Sequence, residues 1–184
     1  MEEENPLEAK EQLEELNEHA KGQGWVRFLS ISTAIIAVLA ATATLLSGNY
    51  ANEALLLKND AILSQTRASD QWSYYQAKGI KREVAAEFQS QKPDPARAAR
   101  IQQLDAQQKT IEAKAHDDER QSEEQNKESE RALEHHHKLA TGVTLFQIAI
   151  ALSAIAALLR QKWVWFLSLA GAAAGLVYLV MGLR

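Results

Sequence analysis

The sequence contains no cysteine and only three prolines, and aromatic residues make up 7% of it. The absence of cysteine excludes a disulfide framework, thiol catalysis and zinc sites with cysteine ligands. Acidic residues are missing from residues 141–184, whereas eight of them lie within residues 1–25. Such segregated charge is not typical of a soluble globular domain. The net charge of −4 also argues against a nucleic-acid partner.

Apolar residues are bunched into three long runs at 25–47, 141–159 and 163–184. Each run is long enough to cross the hydrocarbon core of a bilayer as a helix, and charges are nearly absent from all three. The first run is longer than an ordinary signal-peptide core and follows an acidic segment, so it is predicted to be a retained anchor. The basic loop 160–162 is short, which makes the last two spans antiparallel neighbours.

The segment between the first two spans, residues 48–140, is polar and rich in helix-forming residues. Its one proline-rich break is at 92–95, where Pro93 ends one helix and Asp94 caps the next. The pattern predicts an antiparallel, coiled-coil-like hairpin in which Trp72 faces Ala115. We expect the large apolar residues of the first arm to form its packing face; these are Leu56, Ile62, Leu63, Trp72, Tyr75, Ile80, Val84 and Phe88.

Residues 1–24 predict a short acidic amphipathic helix that begins after Asn5 and ends at Gly22 and Gly24. A second break is expected where Ser47, Gly48 and Asn49 follow the first span. The predicted fold is therefore an all-α integral membrane protein with three transmembrane helices and a long hairpin that protrudes between the first and second spans.

The run from Ser69 to Lys81, with Asp70 to Lys78 at its centre, resembles a pattern of an uncharacterised bacterial membrane-protein family. This family is labelled domain of unknown function 4337. The resemblance covers roughly residues 25–184 and includes the order of span, aromatic run, long polar helix and two closely spaced spans. It implies a helical protein of the bacterial inner membrane, and it brings no catalytic residues. Gly79 departs from the pattern, where Ser or a similar small residue is expected.

The centre of that run places aromatic and charged residues on little more than two helical turns. One interpretation is a docking platform, because aromatic anchors beside charges are common in interfaces. The other, which we favour, is packing within the hairpin or between copies. The candidate interaction residues are Asp70, Trp72, Tyr74, Tyr75 and Lys78.

A Glu-x-x-His pair, Glu134 and His137, faces one way on a helix, as in di-iron sites of helical bundles. Glu53 would lie opposite in the expected hairpin register. A complete site needs more ligands than these three, so the sequence favours a polar cluster above the second span. No metal and no cofactor are predicted.

The third span contains Gly171 and Gly175, whose spacing of four lets another helix approach closely. We expect this face to pack within the chain and between copies. Gln147 is the only strongly polar residue inside a span, so it is expected to bond a neighbouring helix or, alternatively, to line a pore.

No nucleophile, phosphate-binding or metalloprotease motif is present, so the chain is not expected to be an enzyme. The favoured function is a structural scaffold that forms a homo-oligomer in the lipid bilayer. The alternatives are an oligomeric channel or transport component and a membrane sensor that relays through an unidentified protein partner. Positive charges near span ends place the N-terminus in the cytoplasm and the hairpin in the periplasm of a bacterial inner membrane.

Overall fold

The computed structural model describes the backbone from Pro6 onward and the side chains from Gly24 onward. Three α-helices and no strands are present among these residues: α1 spans Pro6–Gln91, α2 spans Pro95–Leu159 and α3 spans Lys162–Gly182. The apolar stripe predicted for the helix at 1–24 falls outside the described side chains. The all-helical prediction is confirmed.

Helices α1 and α2 are longer than any single element predicted from the sequence. The helix end expected at Gly22 and Gly24 is absent, and so is the break expected at Ser47, Gly48 and Asn49, because α1 runs through both places. A glycine inside a helix costs only about 1 kcal/mol, and it keeps the backbone N–H that a proline lacks. Glycine alone was therefore too weak a signal for either boundary.

The turn between α1 and α2 has the predicted cap. Asp94 Oδ1 accepts the N–H of Ala96 at 3.0 Å, and Gln89 Oε1 accepts the N–H of Asp94 at 3.1 Å. The guanidinium of Arg97 donates to the carbonyl oxygens of Lys92 and Phe88 at 2.7 and 3.0 Å. These bonds satisfy backbone groups that the two helix ends leave free.

The link between α2 and α3 has two residues, one fewer than predicted, because Lys162 already begins α3. Arg160 has a positive φ of 51°, and the N–H of Gln161 donates to the carbonyl oxygen of Ala156 at 3.2 Å. This bond and the left-handed residue form a Schellman motif, which closes the end of α2.

The described residues divide into two compact units. Unit 1 contains the chain up to Tyr50 together with Glu134–Arg184, and unit 2 is Ala51–Leu133. The three segments of unit 1 pack around a buried cluster. All three helices contain segments long and apolar enough to cross a membrane. Large apolar side chains, such as Phe28 and Leu158, also remain exposed on unit 1, as lipid-facing residues would be.

Along α1, unit 2 packs through small residues instead of most of the large apolar face predicted for its first arm; of that face only Trp72 and Tyr75 are half-buried. Ile62, Ile80 and Phe88 are more than half exposed, whereas Ala61 and Ala68 are almost fully buried. Small side chains let two helix backbones approach closely, and large ones at the same positions would hold them apart. The buried residues of unit 2 are Ala54, Ala61, Ser64, Ala68, Leu104, Ile111, Ala115, Ser122, Ser129 and Ala132.

The hydrogen bonds across unit 2 run in opposite order along its two segments. Ser129 Oγ donates to the carbonyl oxygen of Ala54, and Ser122 Oγ donates to that of Ala61, both at 2.8 Å. The register expected from the turn places Ser122 opposite Gln65. The carbonyl oxygen of a helical residue points toward the residue four positions later, so the bond to Ala61 places Ser122 at the level of Gln65. The ion pair between Arg82 and Asp105 has the same register.

Candidate functional site

An aromatic cluster in unit 2 joins the predicted interaction run to the polar part of α2. The indole Nε1 of Trp72 donates to Glu119 Oε1 at 2.8 Å. His116 Nδ1 lies 2.9 Å from Glu119 Oε2. The Trp72 ring also meets the rings of His116 and Tyr75 edge to face, with centroids 5.1 and 5.5 Å apart. The Glu119 carboxylate on α2 therefore binds both the Trp72 indole of α1 and the His116 imidazole of its own helix.

These contacts change the acidity of Glu119. The hydrogen bond from the Trp72 indole, followed by the bond with His116, holds the pKa of Glu119 below its ordinary value of 4.5. Both partners favour the charged carboxylate because each donates a hydrogen bond to it. Glu119 therefore stabilises the folded state when it is ionised.

We expect Glu119→Gln to weaken the acid sensitivity of unit 2. Because the folded pKa lies below 4.5, the wild-type carboxylate contributes its full stabilisation above about pH 4.5 and loses it as pH falls through the folded value. Hydrogen exchange of unit 2 at pH 7 and near pH 3.5 measures this loss. Glu123→Gln, at an exposed position one turn along α2, should retain the wild-type acid response, and an identical response in both variants would contradict the prediction.

The other members of the predicted interaction run point to different surroundings. Tyr74 is exposed, and the ammonium group of Lys78 lies 5.0 Å from its ring centroid. Lys78 also donates to Gln107 Oε1 at 2.9 Å, while Asp70 is exposed. Trp72 and Tyr75 therefore pack inside unit 2, and Asp70 and Tyr74 face outward. A docking role for this run stays a prediction.

A second polar cluster lies in unit 1, where α1 and α2 meet the end of α3. His135 Nδ1 donates to the carbonyl oxygen of Gly182 at 2.8 Å, and its ring stacks on Tyr50 at 5.0 Å. His136 Nδ1 lies 2.9 Å from both the carbonyl oxygen and the hydroxyl of Ser47. A carbonyl oxygen only accepts, so Nδ1 carries the proton in both histidines. The two rings tie α2 to both other helices.

The Glu134–His137 pair considered for a metal has other contacts. Glu134 Oε1 accepts a hydrogen bond from Lys138 at 2.7 Å, and this bond and the lysine charge lower the pKa of Glu134. The His137 ring lies beside the ring of His136, with centroids 5.5 Å apart. Within residues 24–184, no three histidine or carboxylate side chains are grouped as metal ligands would be, including the set with Glu53.

The two glycines predicted to form an oligomer contact differ in their surroundings. A Cβ on Gly175 would lie 3.0 Å from the Phe146 ring and 3.2 Å from the carbonyl oxygen of Gly142. Gly175 is buried within unit 1, so it serves packing inside the chain. A Cβ on Gly171 would have only an ordinary contact, 3.7 Å from Ala149. Contact between copies would have to use other positions of α3 than Gly175.

Gln147 is exposed on the surface of unit 1, in the apolar part of α2. It lies on a different face of α2 from Phe146 and Ala149, which are fully buried. The hydrogen bonds of the described residues do not include the Gln147 amide. Thr42 and Thr44, in the apolar part of α1, donate to carbonyl oxygens of their own helix.

Several other contacts within the two units were not predicted from the sequence. The hydroxyls of Ser153 and Ser168 lie 2.7 Å apart, and Trp165 donates to Ser32 at 3.0 Å. In unit 2 the signal was present in the sequence, because Ala115, Ser122 and Ser129 recur every seven residues. A sustained seven-residue repeat of small residues indicates a helix-packing seam.

Comparison with known protein families finds one match. The model of the family described as domain of unknown function (DUF4337) matches residues 25–184. No curated protein and no solved structure matches the chain. The family match covers all three helices except the start of α1. It agrees with the resemblance carried by Asp70 to Lys78, and the chain belongs to the DUF4337 family.

Proposed function

We propose that this protein is a non-enzymatic structural scaffold that assembles with copies of itself in a bacterial inner membrane. In this arrangement residues 25–47, 141–159 and 163–184 cross the bilayer. Residues 48–140 form an antiparallel hairpin outside it. The length and apolar character of the three helices support the first part. The opposite order of the hydrogen bonds along the two segments of unit 2 supports the second.

The observation that carries self-assembly is the exposed amide of Gln147. A span surrounded by lipid offers no water to a polar side chain, so an amide facing outward lacks hydrogen-bond partners. A second copy supplies them, because a glutamine amide both donates and accepts. Interhelical bonds of this kind are favourable in membranes. The same face of α2 carries Ala151 and Ala154, which are exposed and small enough to permit a close helix contact.

The test is the subunit number of the full chain in mild detergent, measured by native mass spectrometry. We expect an oligomer that Gln147→Leu weakens by about three- to thirty-fold in dissociation constant, the range for one or two interhelical hydrogen bonds in membranes. The matched control is Ile148→Leu, at the next exposed position, which should leave the constant unchanged. A wild-type monomer, or equal constants for both variants, would contradict the proposal.

Gln147 also supports a second candidate, an oligomeric channel, because an amide at an interface between copies can face a central pore. Ion flux through liposomes that contain the oligomer separates the two functions. Flux that Gln147→Leu reduces would favour the channel, whereas an oligomer without flux would favour the scaffold. The few positive charges near span ends support a cytoplasmic N-terminus, and digestion of residues 48–140 by protease added to spheroplasts tests this orientation.

A further inference from the structure

The α1 and α2 segments of unit 1 have a groove between them, with a volume of about 390 Å³. Every lining residue among those that the structure describes belongs to one of these two helices. Leu29 and Ser153 are buried at its base, and Ala34, Ala37 and Ala154 are exposed along it. Alanine side chains are too small to fill this space, so the groove is open to an apolar occupant.

The hydroxyl groups in the groove are already bonded within the chain. Ser30 and Thr33 donate to carbonyl oxygens one turn earlier in α1, at 3.0 and 2.8 Å. Ser153 Oγ lies 2.7 Å from Ser168 Oγ. Apart from these hydroxyls the lining side chains are apolar. The groove therefore fits a hydrocarbon chain and gives a polar ligand few partners.

One end of the groove lies beside three positive charges. Leu29 packs in one buried cluster with Ala156 and Val164. The start of the α1 span, the end of α2 and the start of α3 are therefore at the same level. Two to four residues outside this cluster, each helix end has an exposed basic residue; these are Arg27, Arg160 and Lys162.

Acidic side chains are far from this basic end. Among the side chains of unit 1 that the structure describes, Glu134 is the only acidic one. It lies at the other end of the span, two residues before His136, which donates to the carbonyl oxygen of Ser47. In α1, Glu18 precedes Arg27 by nine residues, or about 13 Å of helix, more than the ~10 Å screening length of 0.1 M salt. The basic end therefore attracts an anion.

We propose that the groove binds an acyl chain of an anionic phospholipid, and that the phosphate of this lipid lies against Arg27, Arg160 and Lys162. The inference rests on the membrane placement in the proposed function and does not require self-assembly. Basic residues at the end of a span attract anionic headgroups, and the apolar groove continues from that end toward the middle of the span.

The length of the groove fits one leaflet of a bilayer. Ten residues of α1 separate Arg27 from Ala37, where the α1 lining ends. They cover about 15 Å, half of the ~30 Å hydrocarbon core. A lipid with its phosphate at the level of Arg27 would thus end its chain near Ala37. A helix of a second copy would instead cross the whole span and have no reason to match half of it.

Lipid binding to the full chain in mild detergent tests the groove. Native mass spectrometry counts bound dioleoyl phosphatidylglycerol, and dioleoyl phosphatidylethanolamine is the zwitterionic lipid with the same chains. Ala37→Phe should lower phosphatidylglycerol binding about five-fold or more, because the ring takes the space of the chain. Ala37 is on α1, away from the α2 face that carries Gln147. The matched control is Ala173→Phe, exposed on α3, which should bind as the wild type does.

A second pair of variants tests the headgroup contact. Arg27→Gln with Lys162→Gln should weaken phosphatidylglycerol binding by about ten- to thirty-fold, the effect of two basic residues near an anionic surface. Arg184→Gln removes an exposed charge beyond the other end of α3 and should have no such effect. Excess glycerol phosphate, which lacks acyl chains, should not displace the lipid. All these positions are exposed, so circular dichroism should show unchanged helix content.

The outcomes separate this site from self-assembly. Equal binding of the two lipids by the wild type, or phosphatidylglycerol binding that neither Ala37→Phe nor the double charge variant lowers, would overturn the lipid site. An oligomer that Ala37→Phe dissociates with no change in bound lipid would place a second copy in the groove, which overturns the lipid site and leaves the scaffold standing. A monomer that binds phosphatidylglycerol selectively, and loses it in Ala37→Phe, would support the lipid site and overturn the scaffold.

Discussion

Gly175→Ala is expected to destabilise unit 1 by about 1 to 3 kcal/mol, although alanine is the better helix former. The new methyl group would lie 3.0 Å from two carbons of the Phe146 ring and 3.2 Å from the carbonyl oxygen of Gly142. The ring can move only slightly because Phe146 is fully buried, and the carbonyl belongs to the backbone of α2. Helices α2 and α3 must therefore separate, which loosens the packing around both residues.

Gly171→Ala is the matched control, one turn earlier on the same helix. Its methyl group would lie 3.7 Å from the Ala149 side chain, an ordinary contact. This variant should be neutral or more stable by up to about 1 kcal/mol through helix propensity alone. Thermal unfolding of both variants in the same detergent compares them. If the two variants are equally stable, or if Gly175→Ala is the more stable one, the distance between α2 and α3 at Gly175 is larger than in the structure.

The role of Gly175 also shows what the sequence could and could not predict. The spacing of Gly171 and Gly175 predicts a close helix contact. It does not say which helix occupies the contact, because glycine lowers the steric barrier to any neighbour. The contact inside the chain depends on Phe146, which lies 29 residues earlier in sequence. Long-range pairing of this kind is set by the three-dimensional packing and leaves no local pattern.

The helix boundaries were predicted correctly where the local sequence signal was strong and wrongly where it was weak. Pro93 with Asp94 predicted the end of α1 and the start of α2, because proline removes a hydrogen-bond donor and aspartate supplies a cap. Gly24 and Gly48 predicted breaks that do not occur, because glycine removes nothing from the helical ladder. The order of the helices and the three apolar segments were therefore predictable, and the continuity of α1 was not.

In the aromatic run, the sequence placed Trp72 and Tyr75 on one face but did not identify their partner. Glu119 lies in a polar, charge-rich stretch of α2, and only the register of unit 2 brings it to the indole. That register depends on small residues, which weigh little in a hydrophobic pattern. Most of the large apolar residues that led to the predicted packing face of α1 are exposed in the structure.

Ala115→Leu should therefore have one of the largest effects of any substitution in unit 2. Ala115 is fully buried, and a leucine there needs space for three more carbon atoms where two helices are held together by small side chains. We expect a loss of about 1 to 3 kcal/mol or more. The added bulk would also lengthen the neighbouring bond from Ser122 to the carbonyl oxygen of Ala61.

Ala113→Leu makes the same chemical change two residues away, on the exposed side of α2, and should alter stability by less than about 0.5 kcal/mol. Hydrogen exchange of unit 2 in the full chain compares the two variants, since amide protection across Ala51–Leu133 reports its opening free energy. A large loss of amide protection in Ala115→Leu, with none in Ala113→Leu, would show that the two helices of unit 2 pack closely through small residues. If leucine is tolerated equally at both positions, the arms do not approach closely, and the serine-to-carbonyl bonds that set the register cannot form.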